Sequence, residues 1–227
     1  MKRIMGFITA TAMAVSIAAC GNKENVTSEP SGGASISMPP KTPTVNDAPA
    51  PALAGDFTMD GPAPVTGATY DSMPYELPLN PAGPQDTMVR WVDGWGVNPA
   101  NAERGTMYVL GHAWGKQKLV FNSISEVVTA AVDLKGPAQQ VPAESGGTVG
   151  RYPSAVLNGS TIRMSDQDGR AREWVVDNAY LVDKYDAIED KELVNEHAPG
   201  RIVLIACSVS GTQDLGYNVI VTGQLAK

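Results

Sequence analysis

The sequence predicts a mainly β domain, a closed β-barrel with a few short helices between its strands. The apolar residues of the C-terminal part come mostly in runs of strand length, in which Val, Ile, Thr, Tyr and Trp dominate. Turn-forming stretches such as "LNGS", "DQDG" and "APG" separate these runs. The segment that carries them, residues 73–227, is long enough for a single hydrophobic core.

Each predicted element follows from its residue pattern. Apolar runs predict strands at 106–114, 117–124, 160–165, 172–183, 201–207 and 217–225. Helical periodicity is confined to "ISEVVTAAVDL" at 124–134 and to a weaker pattern in "AIEDKELVNEH" at 187–197. The stretch "MSDQDGRARE" begins like a calcium-binding loop, but it lacks the glutamate of the twelfth position and lies between two predicted strands. We therefore expect a tight hairpin turn there and no metal.

The first 19 residues are predicted to be a signal peptide. They begin with Lys2 and Arg3, continue with an apolar run, and end in "IAAC" at Cys20. This ending resembles the lipobox of bacterial lipoproteins, in which the cysteine thiol receives a diacylglyceryl group and the peptide is cut just before it. The resemblance implies an exported protein that is anchored to the outer face of the cytoplasmic membrane through lipid on Cys20. An ordinary signal peptide cut nearby and an uncleaved anchor remain alternatives, although the run is shorter than the ~20 residues of a spanning helix.

Residues 20–72 are predicted to be a disordered tether. They are rich in Pro, Ser, Thr, Ala and Gly and have almost no periodic apolar pattern. Such a composition buries too little apolar surface to offset the entropy of the chain, so we expect an extended, mobile segment whose last few residues alone could pack on the domain.

The charge pattern excludes one class of partner. The formal net charge is −7, and the Lys and Arg residues are scattered along the chain. Nucleic-acid binding needs a basic patch, so we expect no nucleic-acid partner. Nothing in the sequence indicates a cofactor.

Two residues of the domain could carry chemistry. Cys207 ends the apolar run of "RIVLIACSVSG", and it has no disulfide partner if Cys20 carries lipid. A free cysteine is often a buried small hydrophobe, but a thiol kept in an exported protein can also be a nucleophile. His112 ends an earlier strand in "YVLGHAW", where it is either a packed imidazole or an acid and base for that thiol. His197 lies in a polar loop and is expected to be exposed.

The order of these motifs resembles the sortase family. "YVLGHAWGKQKLVFNSI" is similar to the family's histidine strand, "RIVLIACSVSG" is similar to its cysteine strand, and the approach to the histidine resembles that of actinobacterial class E and class F sortases. The resemblance covers residues 75–227 and implies a sortase-like barrel with Cys207 as nucleophile and His112 as acid and base. It also implies cleavage of a C-terminal sorting motif through a thioacyl intermediate, followed by transfer to an amine of the cell wall or of a pilin. Partners would be surface proteins that bear such a signal.

One part of the family pattern is absent. Sortases carry an arginine on the strand after the cysteine, and the corresponding place in "LGYNVIVTGQL" falls at or near Asn218. Asparagine offers a neutral N–H donor to an oxyanion but no charge. Arg151, Arg170 or Arg172 could instead reach in from another loop. The missing arginine keeps a second hypothesis open, a non-catalytic lipoprotein of sortase fold that binds a peptide or protein partner.

Overall fold

The computed structural model describes residues 49–227. The signal peptide, Cys20 and residues 20–48 of the predicted tether lie outside the described residues. Two short 3-10 turns occur, at Pro99–Arg104 and Ala187–Glu189. No helix within the described part of the chain has the length and apolar character needed to cross a membrane. The strands and the helix, in chain order, are β1 Gly55–Met59, β2 Val65–Pro74, β3 Met88–Gly96, β4 Thr106–Leu110, α1 Asn122–Ala131, β5 Gln139–Pro142, β6 Thr148–Ser154, β7 Thr161–Ser165, β8 Ala171–Asp183, β9 Arg201–Ser210 and β10 Gln213–Leu225.

Eight of these strands form a closed barrel. Their order is β10, β9, β4, β3, β2, β1, β7 and β8, and the pairing of β8 with β10 closes the ring. The pairs β2–β3 and β4–β9 are parallel, whereas the other neighbours in the ring are antiparallel. The strands β6 and β5 extend from the side of β8. The prediction of a mainly β, closed barrel with few helices is confirmed.

Apolar side chains cover both faces of the barrel wall. Ile202, Leu204 and Ala206 of β9 belong to a cluster that draws on all eight barrel strands and also on α1, so this cluster fills the interior. Val203 and Ile205 alternate with them and belong to a second cluster outside the wall. We call this second cluster the outer apolar face. It also contains Met73, Val92, Tyr108, Leu110, Val149, Tyr180, Val182, Leu193 and Ile220. Burial on both faces explains why β9 reads as an unbroken apolar run.

The predicted boundary of the domain at Met73 is wrong. Residues 55–59 of the predicted tether form β1 of the barrel, and residues 65–72 form most of β2, which continues to Pro74. The preceding segment is also held in place, because the Tyr70 hydroxyl donates to the Ala52 carbonyl at 2.8 Å and Trp91 Nε1 donates to the Leu53 carbonyl at 2.8 Å. The apolar residues here alternate with Gly, Thr and Asp, and that composition hides the strand period.

Two other predicted elements differ from the structure. Residues 117–124 were expected to form a strand, but Leu119 to Phe121 lead directly into α1. The helix expected at 187–197 is reduced to the 3-10 turn Ala187–Glu189, followed by irregular turns. The helix expected at 124–134 is confirmed as α1, and the runs at 160–165, 172–183, 201–207 and 217–225 are confirmed as strands. The turn between β7 and β8 is a tight hairpin, in which Asp166 Oδ1 accepts from the backbone N–H groups of Asp168 and Arg170.

Candidate active site

Cys207 lies on β9 with its backbone held by α1. Its thiol is free and the residue is half-buried. The Ser125 hydroxyl donates to the Cys207 carbonyl at 2.7 Å and accepts from the Val209 backbone N–H at 2.9 Å. Ser125 is fully buried, so this bridge is shielded from water and fixes the strand on both sides of the cysteine. These two hydrogen bonds involve backbone atoms, and neither involves the side chain of Cys207.

The side chain of Cys207 belongs to the outside of the barrel wall. On β9, Val203 and Ile205 contribute to the outer apolar face, and side chains of a strand alternate between faces. Cys207 is two positions beyond Ile205 and therefore shares that face. A packed interior thiol would instead share the face of Leu204 and Ala206. The geometry thus favours an accessible thiol at the end of the outer apolar face.

His112 follows β4 at the level of Cys207. Leu110 pairs with Ile205 in the parallel β4–β9 ladder, and the Gly111 N–H donates to the Ile205 carbonyl at 3.1 Å. The ladder ends at that pair, and His112 and Cys207 each follow it by two residues, so both lie just beyond the same end of the ladder. Glycine is required before the histidine, because a Cβ at Gly111 would lie 2.3 Å from the ring of Phe121.

The imidazole of His112 is oriented by a backbone carbonyl. Its Nε2 lies 2.8 Å from the Pro81 carbonyl oxygen. A carbonyl can only accept, so Nε2 carries the proton, and in the neutral ring Nδ1 is the acceptor. Pro81 belongs to the segment between β2 and β3, whose Leu79 packs on the outer apolar face. This segment was not anticipated as part of the site.

Asn218 completes a row across three adjacent strands. It pairs directly with Cys207 on one side and with Val182 of β8 on the other. Directly paired residues point to the same face of a sheet, so the Asn218 amide lies on the face of the thiol. The residue is half-buried. The structure therefore places Asn218 directly beside Cys207, and it places His112 just beyond the end of the neighbouring strand β4.

The three arginines considered as substitutes do not reach Cys207. Arg151 is buried, pairs with Asp190 and Glu192, and its guanidinium carbon stands 4.2 Å from the centre of the Tyr180 ring. It is separated from Cys207 by β8 and β10, about 14 Å at the usual strand spacing.

Arg170 and Arg172 lie at the opposite end of β8. Arg170 forms ion pairs with Asp166 and Asp168 in the β7–β8 turn. Arg172 begins the same strand whose other end, Asp183, pairs with Tyr217 beside the site. At 3.2–3.4 Å per residue this places Arg172 roughly 35 Å along the strand from Asp183. The structure therefore places none of these three arginines next to Cys207.

A cation that the sequence analysis missed stands beside Cys207. Lys184 follows β8, and its ammonium lies 2.5 Å from Asp214 Oδ2. Burial lowers the pKa of Lys184, but the hydrogen bond to Asp214 and the charges of Cys207 and Asp214 raise it above its ordinary value. Asp214 pairs with Val209, two residues beyond Cys207 on β9, so the ion pair lies at the Cys207 end of that strand. No local motif marks Lys184; the pairing of β8 with β10 brings it to the site.

Other surface features lie away from this row. A depression of about 560 Å³ opens between the segment before β1 and the β7–β8 turn, and a smaller one of about 360 Å³ lies around Glu144 and His197. Neither is lined by His112 or Cys207. His197 is exposed, as predicted. Within residues 49–227 no group of three or more His, Cys, Asp or Glu side chains is arranged to hold a metal ion.

Comparison with solved structures finds similarity to sortases. Sortase A of Listeria monocytogenes is 13% identical, with 75% of this chain and 86% of that chain covered and a TM-score of 0.40. A lid mutant of sortase A from Corynebacterium diphtheriae is 13% identical, with 80% and 74% covered and a TM-score of 0.43. The sortase D5 transpeptidase of Clostridium perfringens is 12% identical, with 76% and 79% covered and a TM-score of 0.41.

No protein-family model matches the chain, and a search of curated proteins finds no similar sequence. The function is therefore argued from the residues of the site.

Proposed function

We propose that this protein is a cysteine transpeptidase of sortase type. The observation that supports the proposal most is the direct pairing of Cys207 on β9 with Asn218 on β10, on the outside of a closed barrel, with His112 just after the end of the neighbouring strand β4. A nucleophile, an acid and base, and an oxyanion donor are the parts that acyl transfer needs.

The reaction proceeds in two steps, acylation of Cys207 and transfer of the acyl group to an amine. The Cys207 thiolate attacks the carbonyl carbon of a peptide amide and forms a C–S bond. The C–N bond then breaks while the imidazolium of His112 gives a proton to the leaving amine. In the second step His112 takes a proton from an incoming amine, which attacks the thioester carbon and releases Cys207 as thiolate. The amide N–H of Asn218 donates to the oxyanion of both tetrahedral intermediates.

The substrates and the location are part of the same proposal. The substrates are surface proteins with a C-terminal sorting motif, and the acceptor is an amine of the cell wall or of a pilin. The enzyme is of the class E or class F type. It acts outside the cytoplasmic membrane, where lipid on Cys20 anchors it. The ordered motifs of the sequence support these assignments.

Labelling with a peptide vinyl sulfone tests the activity. Full-length mature protein is incubated with sorting-motif peptides that carry the vinyl sulfone at the scissile position, and the adduct is located by mass spectrometry. We expect one adduct, on Cys207, whose formation slows when the matching unmodified peptide is added. If sorting-motif peptides bind the protein but never acylate Cys207, the transpeptidase proposal is wrong. The protein would then be a non-catalytic binding module of sortase fold.

Asn218→Ala is expected to lower the rate of Cys207 acylation by a peptide about 10²- to 10³-fold, the usual cost of one oxyanion donor. The rate of alkylation by iodoacetamide should stay unchanged, since alkylation develops no oxyanion. Asn218→Arg should preserve or raise acylation, because its guanidinium offers a charge-assisted donor. The exposed Asn158→Ala serves as the control. Equal acylation rates for Asn218→Ala and wild type would remove Asn218 from the mechanism.

Cys20→Ser is expected to leave the protein without lipid, either released from the membrane fraction or with its signal peptide uncleaved. The intact mass and partition into a detergent phase measure this outcome. Cys207→Ser is the matched control, and it should keep both the mass of the lipid and the membrane association. A Cys20→Ser protein that matches wild type in lipid content and partition would show that Cys20 is not the anchor.

A further inference from the structure

We propose that Lys184, held in place by Asp214, supplies the positive charge that keeps the Cys207 thiol reactive. The inference rests on the proposed function for the role of the thiol, and it adds a residue to that site. Lys184 acts on the sulfur itself, whereas Asn218 acts on the carbonyl oxygen of a bound peptide. Asp214 is a positioning residue.

The strand register directs Lys184 toward the thiol. Val182 of β8 pairs with Asn218, which in turn pairs with Cys207, so these three side chains share the outside of the wall. Lys184 is two positions beyond Val182 and belongs to the same face. Its backbone N–H donates to the Gly216 carbonyl at 3.2 Å, which ties the end of β8 to β10.

A bulge in β10 makes room for the charge pair. The register between β10 and β9 shifts between Asp214 and Asn218, so the chain bends away from the ladder beside Cys207. Asp214 pairs with Val209, two residues beyond Cys207, and therefore faces the same side as the thiol. Its carboxylate accepts from the Lys184 ammonium at 2.5 Å and from the Gly216 N–H at 2.8 Å.

Lys184 and Asp214 each stabilise the charged form of the other. Burial raises the pKa of Asp214, but the hydrogen bond from Lys184 and the one from the Gly216 N–H lower it below its ordinary value. The pKa of Lys184 is raised, so the ammonium persists at neutral pH. Only 28% of the Lys184 side chain is exposed, against 44% for Asp214, so the carboxylate is the better solvated partner. A cation this close to a thiol stabilises the thiolate, which is the nucleophilic form.

The alkylation rate of Cys207 in the full-length mature protein tests the proposal without any peptide. Iodoacetamide is the neutral probe and iodoacetate the anionic probe, at one neutral pH and low salt. Lys184→Met should slow alkylation by iodoacetamide roughly tenfold or more, because the thiolate is the nucleophile and the substitution removes a positive charge that favours it. The loss of alkylation rate should be larger with iodoacetate, since this anion is itself attracted by the Lys184 ammonium.

Three further variants isolate the charge. Lys184→Arg should retain most of the wild-type rate. Lys191→Met removes an exposed lysine on the connection before β9 and should change nothing. Asp214→Asn leaves the ammonium present and should slow alkylation less than Lys184→Met does. A loss with Lys184→Arg as large as that with Lys184→Met would assign the effect to local structure instead of charge and overturn the proposal.

The result also separates this inference from the transpeptidase proposal. Equal alkylation of Lys184→Met and wild type would overturn the role of Lys184, whatever peptides do. Slow alkylation of Lys184→Met in a protein that no sorting peptide acylates would support Lys184 and count against transpeptidation. Thermal midpoints of all variants are measured alongside, and Lys184→Gln replaces Lys184→Met if the latter does not fold.

Discussion

Cys207→Ala is expected to abolish processing of sorting-signal peptides while leaving the fold and the thermal midpoint nearly unchanged. The activity should be lost because, within residues 49–227, Cys207 is the only cysteine, and it is the residue that pairs with Asn218. The stability is kept because the Ser125 bridge holds the backbone of residue 207 and not its side chain. The cost in free energy of unfolding should be about 1 kcal/mol or less, as for partly exposed sites without a structural role.

Turnover of a fluorescent sorting peptide and thermal unfolding of the same preparations measure both halves of this prediction. Val209→Ala, on the same strand but with a buried side chain, is the matched control for stability. It should lower the thermal midpoint while retaining turnover. A Cys207→Ala protein that still turns over the peptide would remove the enzyme proposal, and one that unfolds would show that Cys207 is a structural core residue.

Arg151→Met is expected to be the most destabilising of the substitutions considered, by about 3–5 kcal/mol. Asp190 is fully buried and accepts two hydrogen bonds from the Arg151 guanidinium, so the substitution leaves a buried carboxylate without its counter-charge. The guanidinium also covers the ring of Tyr180 at 4.2 Å. The pair joins β6 to the connection that precedes β9, and it therefore supports the outer apolar face from its edge.

Urea unfolding of the full chain measures this loss against a matched pair. Arg163 and Glu173 face each other across β7 and β8 at 2.5 Å, but they are 44% and 43% exposed. Arg163→Met should cost only about 0–1 kcal/mol. The double change Arg151→Met with Asp190→Leu should regain part of the loss, because it removes the uncompensated charge. Equal losses for Arg151→Met and Arg163→Met would contradict the assignment.

The sequence allowed prediction of those strands whose residues carry a strong local signal. β9 and the C-terminal part of β10 are buried on both faces, so each reads as a continuous apolar run with a clear end. β1 buries alternate residues, but the buried residues of β2 are unevenly spaced, and Gly, Thr and Asp stand between them, so the composition resembles that of a tether. Composition averaged over a window therefore outweighed the period of two.

For the site, the same distinction holds between residues marked by a motif and residues placed by the fold. Gly111 and His112 form a recognisable pair, since the ring of Phe121 excludes any side chain at position 111. Lys184 and Pro81 have no such mark. Lys184 reaches Cys207 through the β8–β10 pairing, and Pro81 reaches His112 through the course of the segment before β3. Contacts of this kind depend on tertiary structure that no local pattern encodes.

Closure of the barrel by β10 determines when the site can exist. β10 pairs with β9 on one side and with β8 on the other, and it supplies both Asp214 and Asn218. The parallel pairing of β4 with β9 likewise joins segments separated by α1 and four strands. A nascent chain that has not yet released residue 225 therefore has two unpaired strand edges and no assembled row, and such non-local pairing forms late. The residues that the proposed mechanism uses are therefore brought together only after the last strand of the domain has been synthesised.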